Sequence, residues 1–308
     1  MSKSVNIVVY FDSPNAMGYP FDERNYFLSY QGFGELCKKR GVNFYIVRGK
    51  KSYLGKMKFY GGWKFAGKKL AAVRESIKAD VIYVKGADLR TEEGAVRVNH
   101  QELMEICADK LKTYKLFKKY MIKTYPINKN NWRKALKKIK TKKVVVKPEM
   151  GMEGRGIVVA GKNKFNFSRL DRAYAPFLAQ EFIDCSAGIP GIVKSRHDLR
   201  LYIFNGKVRL AEYRQPKRGS CLANIAQGGS LTVLPVLKVP KWAIKFVGTI
   251  DKHFKKFSPR IYTIDLMYAY GRPYLVELNS RPGLPFKGWS YYDEFHRHIF
   301  ETLMSALR

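Results

Sequence analysis

Long hydrophobic stretches and paired cysteines are both missing from this 308-residue sequence. No apolar run approaches the roughly 18 residues that cross a bilayer, so we expect no membrane-spanning segment. The four cysteines are widely scattered without a C-x-x-C pair, which argues against a structural zinc site and a disulfide framework. The short apolar run 5–11 lacks a small-residue cleavage site and predicts a first strand rather than a signal peptide. A reducing cytoplasm fits these absences best.

Acidic residues are also scarce. Asp and Glu number 25 against 58 Lys and Arg, which gives a formal net charge of +33. Such a charge favours anionic partners: a nucleotide, a nucleic acid, an acidic protein or a polyanionic small molecule. The imbalance is greatest from residue 110 to 143, where 13 lysines and Arg133 occur without one acid. A lysine-rich proteome is the alternative explanation, and the oligomeric state stays open.

The first hundred residues alternate between strand-like and helix-like segments. Runs 5–10, 42–47 and 79–84 predict strands, and 25–40 and 70–78 have helical character. This order predicts a parallel α/β unit over residues 1–100. Ligands in such units gather at the carboxyl ends of strands, where the candidate segments are 12–15, 48–49 and 85–86. The basic, aromatic-rich segment 51–69 fits either base stacking or the closure of a domain edge.

Two β-branched runs flank a glycine-rich loop in segment 143–159. Lys147 ends the first run, and Gly151, Gly154 and Gly156 lie in the loop. Unpaired backbone N–H groups in such a turn attract anions, and the lysine adds a point charge. It is not a Walker loop, because no Lys-Ser/Thr pair follows the glycines. From this stretch alone, a phosphate-covering flap and an ordinary hairpin are both possible.

A second hairpin is predicted around Asn205-Gly206, the strongest turn signal of the chain. Alternation along strand 198–204 puts Asp198 and Arg200 on one face, and the return strand ends at Arg214. Residues 101–123 predict a helix in two pieces. Residues 240–257 predict a basic amphipathic helix.

Oxygen-bearing side chains cluster on two strands near the end of the chain. Segment 261–267 carries Asp265, and after a turn, segment 274–279 carries Glu277 and Asn279 on one face. Antiparallel pairing would place Asp265 opposite them. Such oxygens suit magnesium bound to a nucleotide, because hard cations prefer oxygen ligands and phosphate. Three edge residues that only form hydrogen bonds are the alternative.

The joint order of these features resembles the ATP-grasp superfamily, most closely its RimK-type and glutathione-synthetase-like ligases. The resemblance covers about residues 109–285. It implies an α/β fold in which a Rossmann-like domain (1–100) precedes a central subdomain (101–184) and a C-terminal subdomain (185–308). These two α+β subdomains would sandwich ATP between antiparallel sheets.

The resemblance also implies a role for individual residues. By this resemblance the two phosphate-binding lysines are Lys110 and Lys147, and the glycine flap consists of Gly151, Gly154, Arg155 and Gly156. The adenine hinge is Gln180, Glu181, Phe182 and Ile183, and the ribose-side acid is Asp198. The residues around the acyl phosphate are Arg200, Arg214 and Asn224, and the ligands of two Mg²⁺ ions (or Mn²⁺) are Asp265, Glu277 and Asn279.

The implied reaction is ATP-dependent activation of a carboxylate to an acyl phosphate, which an amine attacks to give an amide, ADP and phosphate. The positive charge favours an acidic acceptor, namely an amino acid, a peptide or a protein tail. A kinase of the same fold acting on a polyanion and a nucleic-acid-binding protein are the alternatives. The segment between Ile183 and Asp198 is longer than the family pattern. The residues after Pro282 do not match it, so the acceptor is not identified.

Overall fold

The structure, a computed structural model, describes residues 4–14, 18–151 and 153–308. Asn15 of candidate segment 12–15 and Met152 of the glycine loop lie outside the described residues. The strands are β1 (Asn6–Phe11), β2 (Asn43–Arg48), β3 (Tyr53–Gly55), β4 (Lys58–Ala66), β5 (Lys69–Lys78), β6 (Val81–Val84), β7 (Arg97–Val98), β8 (Thr124–Ile127), β9 (Lys143–Pro148), β10 (Val158–Gly161), β11 (Phe177–Glu181), β12 (Asp198–Phe204), β13 (Lys207–Gln215), β14 (Ser230–Leu234), β15 (Ile261–Ala269) and β16 (Arg272–Asn279). The helices are α1 (Arg24–Lys39), α2 (Gln101–Ala108), α3 (Lys110–Phe117), α4 (Trp132–Lys138), α5 (Lys241–Asp251) and α6 (Tyr292–Ser305). None of these helices has the length and apolar character needed to cross a membrane.

The first sheet has the order β3-β4-β2-β1-β6-β7, with β5 paired to β4. Strand β1 is parallel to β2 and to β6, and β6 is parallel to β7, so the expected parallel α/β core is confirmed. The helix expected over 70–78 is wrong, because these residues form β5 in an antiparallel hairpin with β4. Val73 and Ile77 face the core, and a spacing of four residues fits one face of a helix and of a strand equally.

The aromatic segment 51–69 therefore lies in the outer part of the first sheet. Its strand β4 pairs with β2 and β3 along one side and with β5 along the other. Phe59 is fully buried, whereas Tyr60 is 61% exposed. This alternation is that of a strand with one covered face.

The second and third sheets are entirely antiparallel, with orders β10-β9-β11-β8 and β14-β13-β12-β15-β16. Both predicted hairpins are present. Asn205 and Gly206 have φ values of 46° and 82°, the left-handed pair that a tight two-residue hairpin needs. The turn begins the pairing of β12 with β13, and an irregularity between Tyr202 and Ile203 then shifts the register so that Arg200 lies opposite Glu212.

Two packing contacts connect the sheets. Helices α2 and α3 bury Leu103, Cys107 and Phe117 against the third sheet, and α6 buries Phe295 in one core cluster with Phe33 of α1 and with residues of the first sheet. The side chain of Asn99 ties β7 to the third sheet by donating to the carbonyls of residues 261 and 280 at 2.6 Å. Helix α6 lies in a segment for which no element was predicted. The domain boundaries at residues 100 and 184 remain a prediction.

Candidate active site

A cavity of about 120 Å³ lies between the second and third sheets. The glycine loop, β9 and β11 form one wall, β12, β15 and β16 form the other, and residues 221–224 complete it. It is lined by these predicted site residues: Lys110, Lys147, Gly151, Gly154, Arg155, Gln180, Glu181, Phe182, Ile183, Asp198, Asn224, Asp265 and Glu277. Gly156, Arg200, Arg214 and Asn279 lie outside this lining. The role of each residue stays a prediction.

Two lysines and one carboxylate meet at one end of the cavity. Lys110 is the first residue of α3, which starts because Asp109 Oδ1 accepts the N–H groups of Leu111 and Lys112 at 2.9 Å. The Lys110 Nζ atom donates to the carbonyl of Gly151 at 2.6 Å and lies 3.4 Å from a carboxylate oxygen of Glu277. Because this cap starts a new helix at residue 110, it positions the Lys110 ammonium at the cavity.

Lys147 reaches the same place from the end of β9 and is only 5% exposed. Burial lowers the pKa of its ammonium to about 8, although the Glu277 carboxylate opposes the shift. A buried ammonium that has lost its hydration shell is strongly attracted to a phosphate that enters the cavity. Lys110 and Lys147 together fit an anionic ligand at this end.

The glycine loop lies directly over residues 224–227. Gly154 and Gly156 have φ values of 73° and 71°. A Cβ at residue 154 would lie 2.8 Å from Oδ1 of Asn224, and one at residue 156 would lie 2.8 Å from the ring of Tyr174. Glycine is therefore required twice, once for the backbone conformation and once for the close approach. The loop covers the cavity, as a flap would.

The segment 180–183, which comprises the end of β11 and the two residues after it, lines the cavity. Buried Gln180 donates to Thr124 Oγ1 at 2.6 Å, and the backbone N–H of Phe182 donates to Thr141 Oγ1 at 3.1 Å. The hydrogen-bonding capacity of Phe182 N–H is therefore used within the protein. A base bound here would have to use the neighbouring backbone groups or displace Thr141.

A row of charged residues crosses the third sheet. The register places Glu212 opposite Arg200, Arg200 opposite Asp265, and Asp265 opposite Glu277. Arg200 donates two hydrogen bonds of 2.8 Å to the Asp265 carboxylate. A third comes from Arg214 Nη2, at 2.8 Å. The predicted position of Asp265 opposite Glu277 is confirmed, and both arginines hold Asp265 from behind the cavity wall.

This network shifts the ionisation of its acids in opposite directions. Burial opposes ionisation of Asp265, yet Arg200 and Arg214 hold its pKa below the usual value. Asp198 also pairs with Arg214, but burial and the nearby Asp265 raise its pKa to about 7. Glu212, which accepts the Tyr291 hydroxyl at 3.0 Å, has a raised pKa because it is buried. The site is thus a buried set of compensating charges.

The donors available for a magnesium ion are Asp265 and Glu277, which both line the cavity. Carboxylate oxygens suit Mg²⁺ when phosphate and water complete the coordination. Among the described residues no group of three His, Cys, Asp or Glu side chains is placed to hold a metal. Asn279 turns its Oδ1 to the N–H of Arg281 at 2.8 Å. The donor set therefore fits a metal that arrives with a nucleotide.

The sequence did not single out several residues of the lining. Arg196 donates to Asp184 at 3.2 Å from the irregular segment before β12, and Cys185, Cys221 and Met267 also line the cavity. Arg196 could have been found from the sequence only as a charged residue close to the expected strand 198–204. The apolar residues carried none, because they match ordinary core positions in type and spacing.

Comparison with known proteins identifies the family. Residues 107–285, more than half of the chain, match the model described as the ATP-grasp domain. The chain belongs to the ATP-grasp family. The resemblance inferred from the sequence is therefore confirmed.

Relatives of this ATP-grasp protein include a Halorhodospira halophila protein named probable alpha-L-glutamate ligase. It is 26% identical over 262 residues, which cover 81% of this chain and 82% of the relative. A Legionella pneumophila protein of the same name is 31% identical over 144 residues, covering 46% of this chain and 43% of the relative.

Solved structures confirm the α/β ATP-grasp fold. The Bacillus anthracis D-alanine–D-alanine ligase complexed with ATP has a TM-score of 0.63 at 13% identity and covers 99% of both chains. The ATP-grasp ligase PsnB complexed with minimal precursor has a TM-score of 0.62 at 13% identity, covering 99% of this chain and 100% of that one. At such identities the likeness shows the fold alone.

Proposed function

We propose that this protein is an ATP-dependent carboxylate–amine ligase that forms an amide through an acyl phosphate and releases ADP and phosphate. The chain is then an enzyme of the ligase type. The observation that carries the proposal is the meeting of Lys110, Lys147, Asp265 and Glu277 at one cavity under a glycine loop. The relatives named probable alpha-L-glutamate ligase, of which the matches cover 82% and 69%, support it and make L-glutamate the first substrate to test.

The chain's own residues supply most of the proposed chemistry. Lys110 and Lys147 neutralise the transferred phosphate, which is the main task in phosphoryl transfer. The glycine loop excludes water from the cavity. A bound Mg²⁺, held by Asp265 and Glu277 together with the nucleotide, would add charge neutralisation at the phosphates. Arg200 and Arg214 orient Asp265 through the hydrogen bonds that it accepts.

The acceptor is proposed to be acidic. The formal net charge of +33 attracts anions over distances of about 8–10 Å at moderate salt. Charge and cavity do not distinguish an amino acid, a peptide and a protein tail.

The test incubates the full chain with ATP, Mg²⁺, L-glutamate and a set of small acidic peptides, and reads the products by mass spectrometry. An adduct formed with loss of water, together with ADP and phosphate, is the expected result. A phosphorylated acceptor would instead indicate a kinase, and AMP with pyrophosphate would contradict the acyl phosphate.

Two variants test the site. Lys147→Ala and Glu277→Ala should each abolish Mg²⁺-dependent ATP turnover, because the first removes a cation that faces the phosphates and the second a carboxylate that would hold the Mg²⁺. Glu75→Ala is the control, since Glu75 is exposed on β5 in the first sheet. Full turnover in a folded Lys147→Ala or Glu277→Ala protein would overturn the site assignment.

A further inference from the structure

Exposed lysines cover the segment that adjoins the cavity. From residue 112 to 143, twelve lysines and one arginine are exposed on α3, α4 and their connections. We refer to them as the lysine surface: Lys112, Lys115, Lys118, Lys119, Lys123, Lys129, Arg133, Lys134, Lys137, Lys138, Lys140, Lys142 and Lys143.

Hardly any of this charge is compensated within the protein. Among the described residues, one member of the surface forms an ion pair: Lys112 lies 3.6 Å from a carboxylate oxygen of Glu105. The other members have no carboxylate within ion-pair distance among those residues. Like charges held together repel each other, and a polyanion bound to them would remove that cost.

The surface also borders the proposed active site. Lys110, just before the surface, lines the first cavity. Lys143, the last member, lines a second cavity of about 330 Å³. The two cavities share the wall residues Ile157, Val159, Cys221 and Leu222. The lysine surface therefore borders the reaction cavity next to Lys110 and the adjoining cavity at Lys143.

Two aromatic rings of this region are covered by cations, and two others, Tyr114 and Tyr120, pack against the core next to the third sheet. The Arg133 guanidinium lies 4.4 Å from the ring centre of Trp132, and Lys138 lies 5.8 Å from that of Tyr125. Stacking of bases needs uncovered rings. Phosphate recognition often uses the bidentate fork of arginine, and this surface has one arginine against twelve lysines. These features favour an acidic polypeptide over a nucleic acid.

We propose that the lysine surface docks an acidic polypeptide, which is the macromolecular acceptor of the amide-forming reaction or its product. This inference rests on the proposed ligase function and adds the location and the polymer class of the partner. Docking beside the cavity would raise the local concentration of the chain end that enters it.

The test compares two triple variants of the full chain that each lose three charges. Lys134→Gln, Lys137→Gln and Lys138→Gln change the lysine surface on α4. Lys64→Gln, Lys68→Gln and Lys69→Gln, all exposed on the β4–β5 hairpin, are the matched control. Binding of a fluorescently labelled oligo-L-glutamate is measured by anisotropy over a series of salt concentrations, without ATP. Circular dichroism shows that both variants are folded.

The α4 variant should bind the peptide about tenfold more weakly and lose up to about three units of salt slope, whereas the control changes about twofold or less. Equal losses in both variants would reduce the effect to overall charge and overturn the proposal. Tighter, α4-dependent binding of a single-stranded oligonucleotide of equal charge would also overturn it. Because no ATP is present, failure of the ligase chemistry leaves this binding result unaffected.

Discussion

Proton uptake at Lys147 is the most direct test of the nucleotide cavity. In the free protein, burial lowers the pKa of Lys147 to about 8 from 10.5. Such a shift corresponds to about 3 kcal/mol of lost stabilisation of the charged form. A phosphate beside the ammonium should restore its usual pKa or raise it further, because opposite charge favours the ionised form. Nucleotide binding should therefore take up a proton.

The expected amount depends on pH in a defined way. A lysine with a pKa of about 8 is about nine-tenths protonated at pH 7 and about a quarter protonated at pH 8.5. Uptake on ATP binding should thus rise from about 0.1 proton at pH 7 to about 0.7 at pH 8.5. Because the complex binds more protons than the free protein does, the affinity for ATP should fall as the pH rises through 8.

Calorimetric titration of ATP in buffers of different ionisation enthalpy measures this uptake. The variant Lys147→Arg keeps the positive charge but does not titrate below about pH 12, so its uptake at pH 8.5 should be small. It also serves as the control for ionisation of the nucleotide and of Asp198. Equal uptake by the native protein and Lys147→Arg at pH 8.5 would refute the reasoning.

Two further changes test the packing of the site. Asp265→Asn removes the carboxylate that pairs with two buried guanidinium groups, and it should lower the free energy of unfolding by about 3–5 kcal/mol in urea titration. Glu301→Gln, at the exposed pair with Arg297, is the control and should change the free energy of unfolding by less than about 1 kcal/mol. Gly156→Ala, at φ 71° and against Tyr174, should weaken ATP binding about tenfold, while Gly161→Ala, whose Cβ would meet its nearest neighbour at 3.9 Å, should leave it unchanged.

Local pattern was sufficient for most of the elements. Alternating and β-branched runs predicted the strands that carry the site, and Asn205-Gly206 predicted the hairpin that joins β12 to β13, because turn geometry and side-chain period are local properties. The same reasoning failed at residues 70–78. Val73 and Ile77 are four apart, a spacing shared by helix and strand, and pairing with β4 decided the outcome.

The sequence by itself determined the family, since the order of lysine, glycine loop, hinge strand and the Glu-x-Asn segment is specific to it. It also determined the charge of the chain and the face of β12 that carries Asp198 and Arg200. Only the tertiary structure decided that Arg200 and Arg214 hold Asp265 behind the wall of the cavity. It also decided that Lys147 is buried enough to have a lowered pKa, and that the lysine surface, apart from Lys112, is left without carboxylate partners among the described residues. These properties depend on which distant residues meet, and spacing along one chain carries no information about desolvation or about partners on another strand.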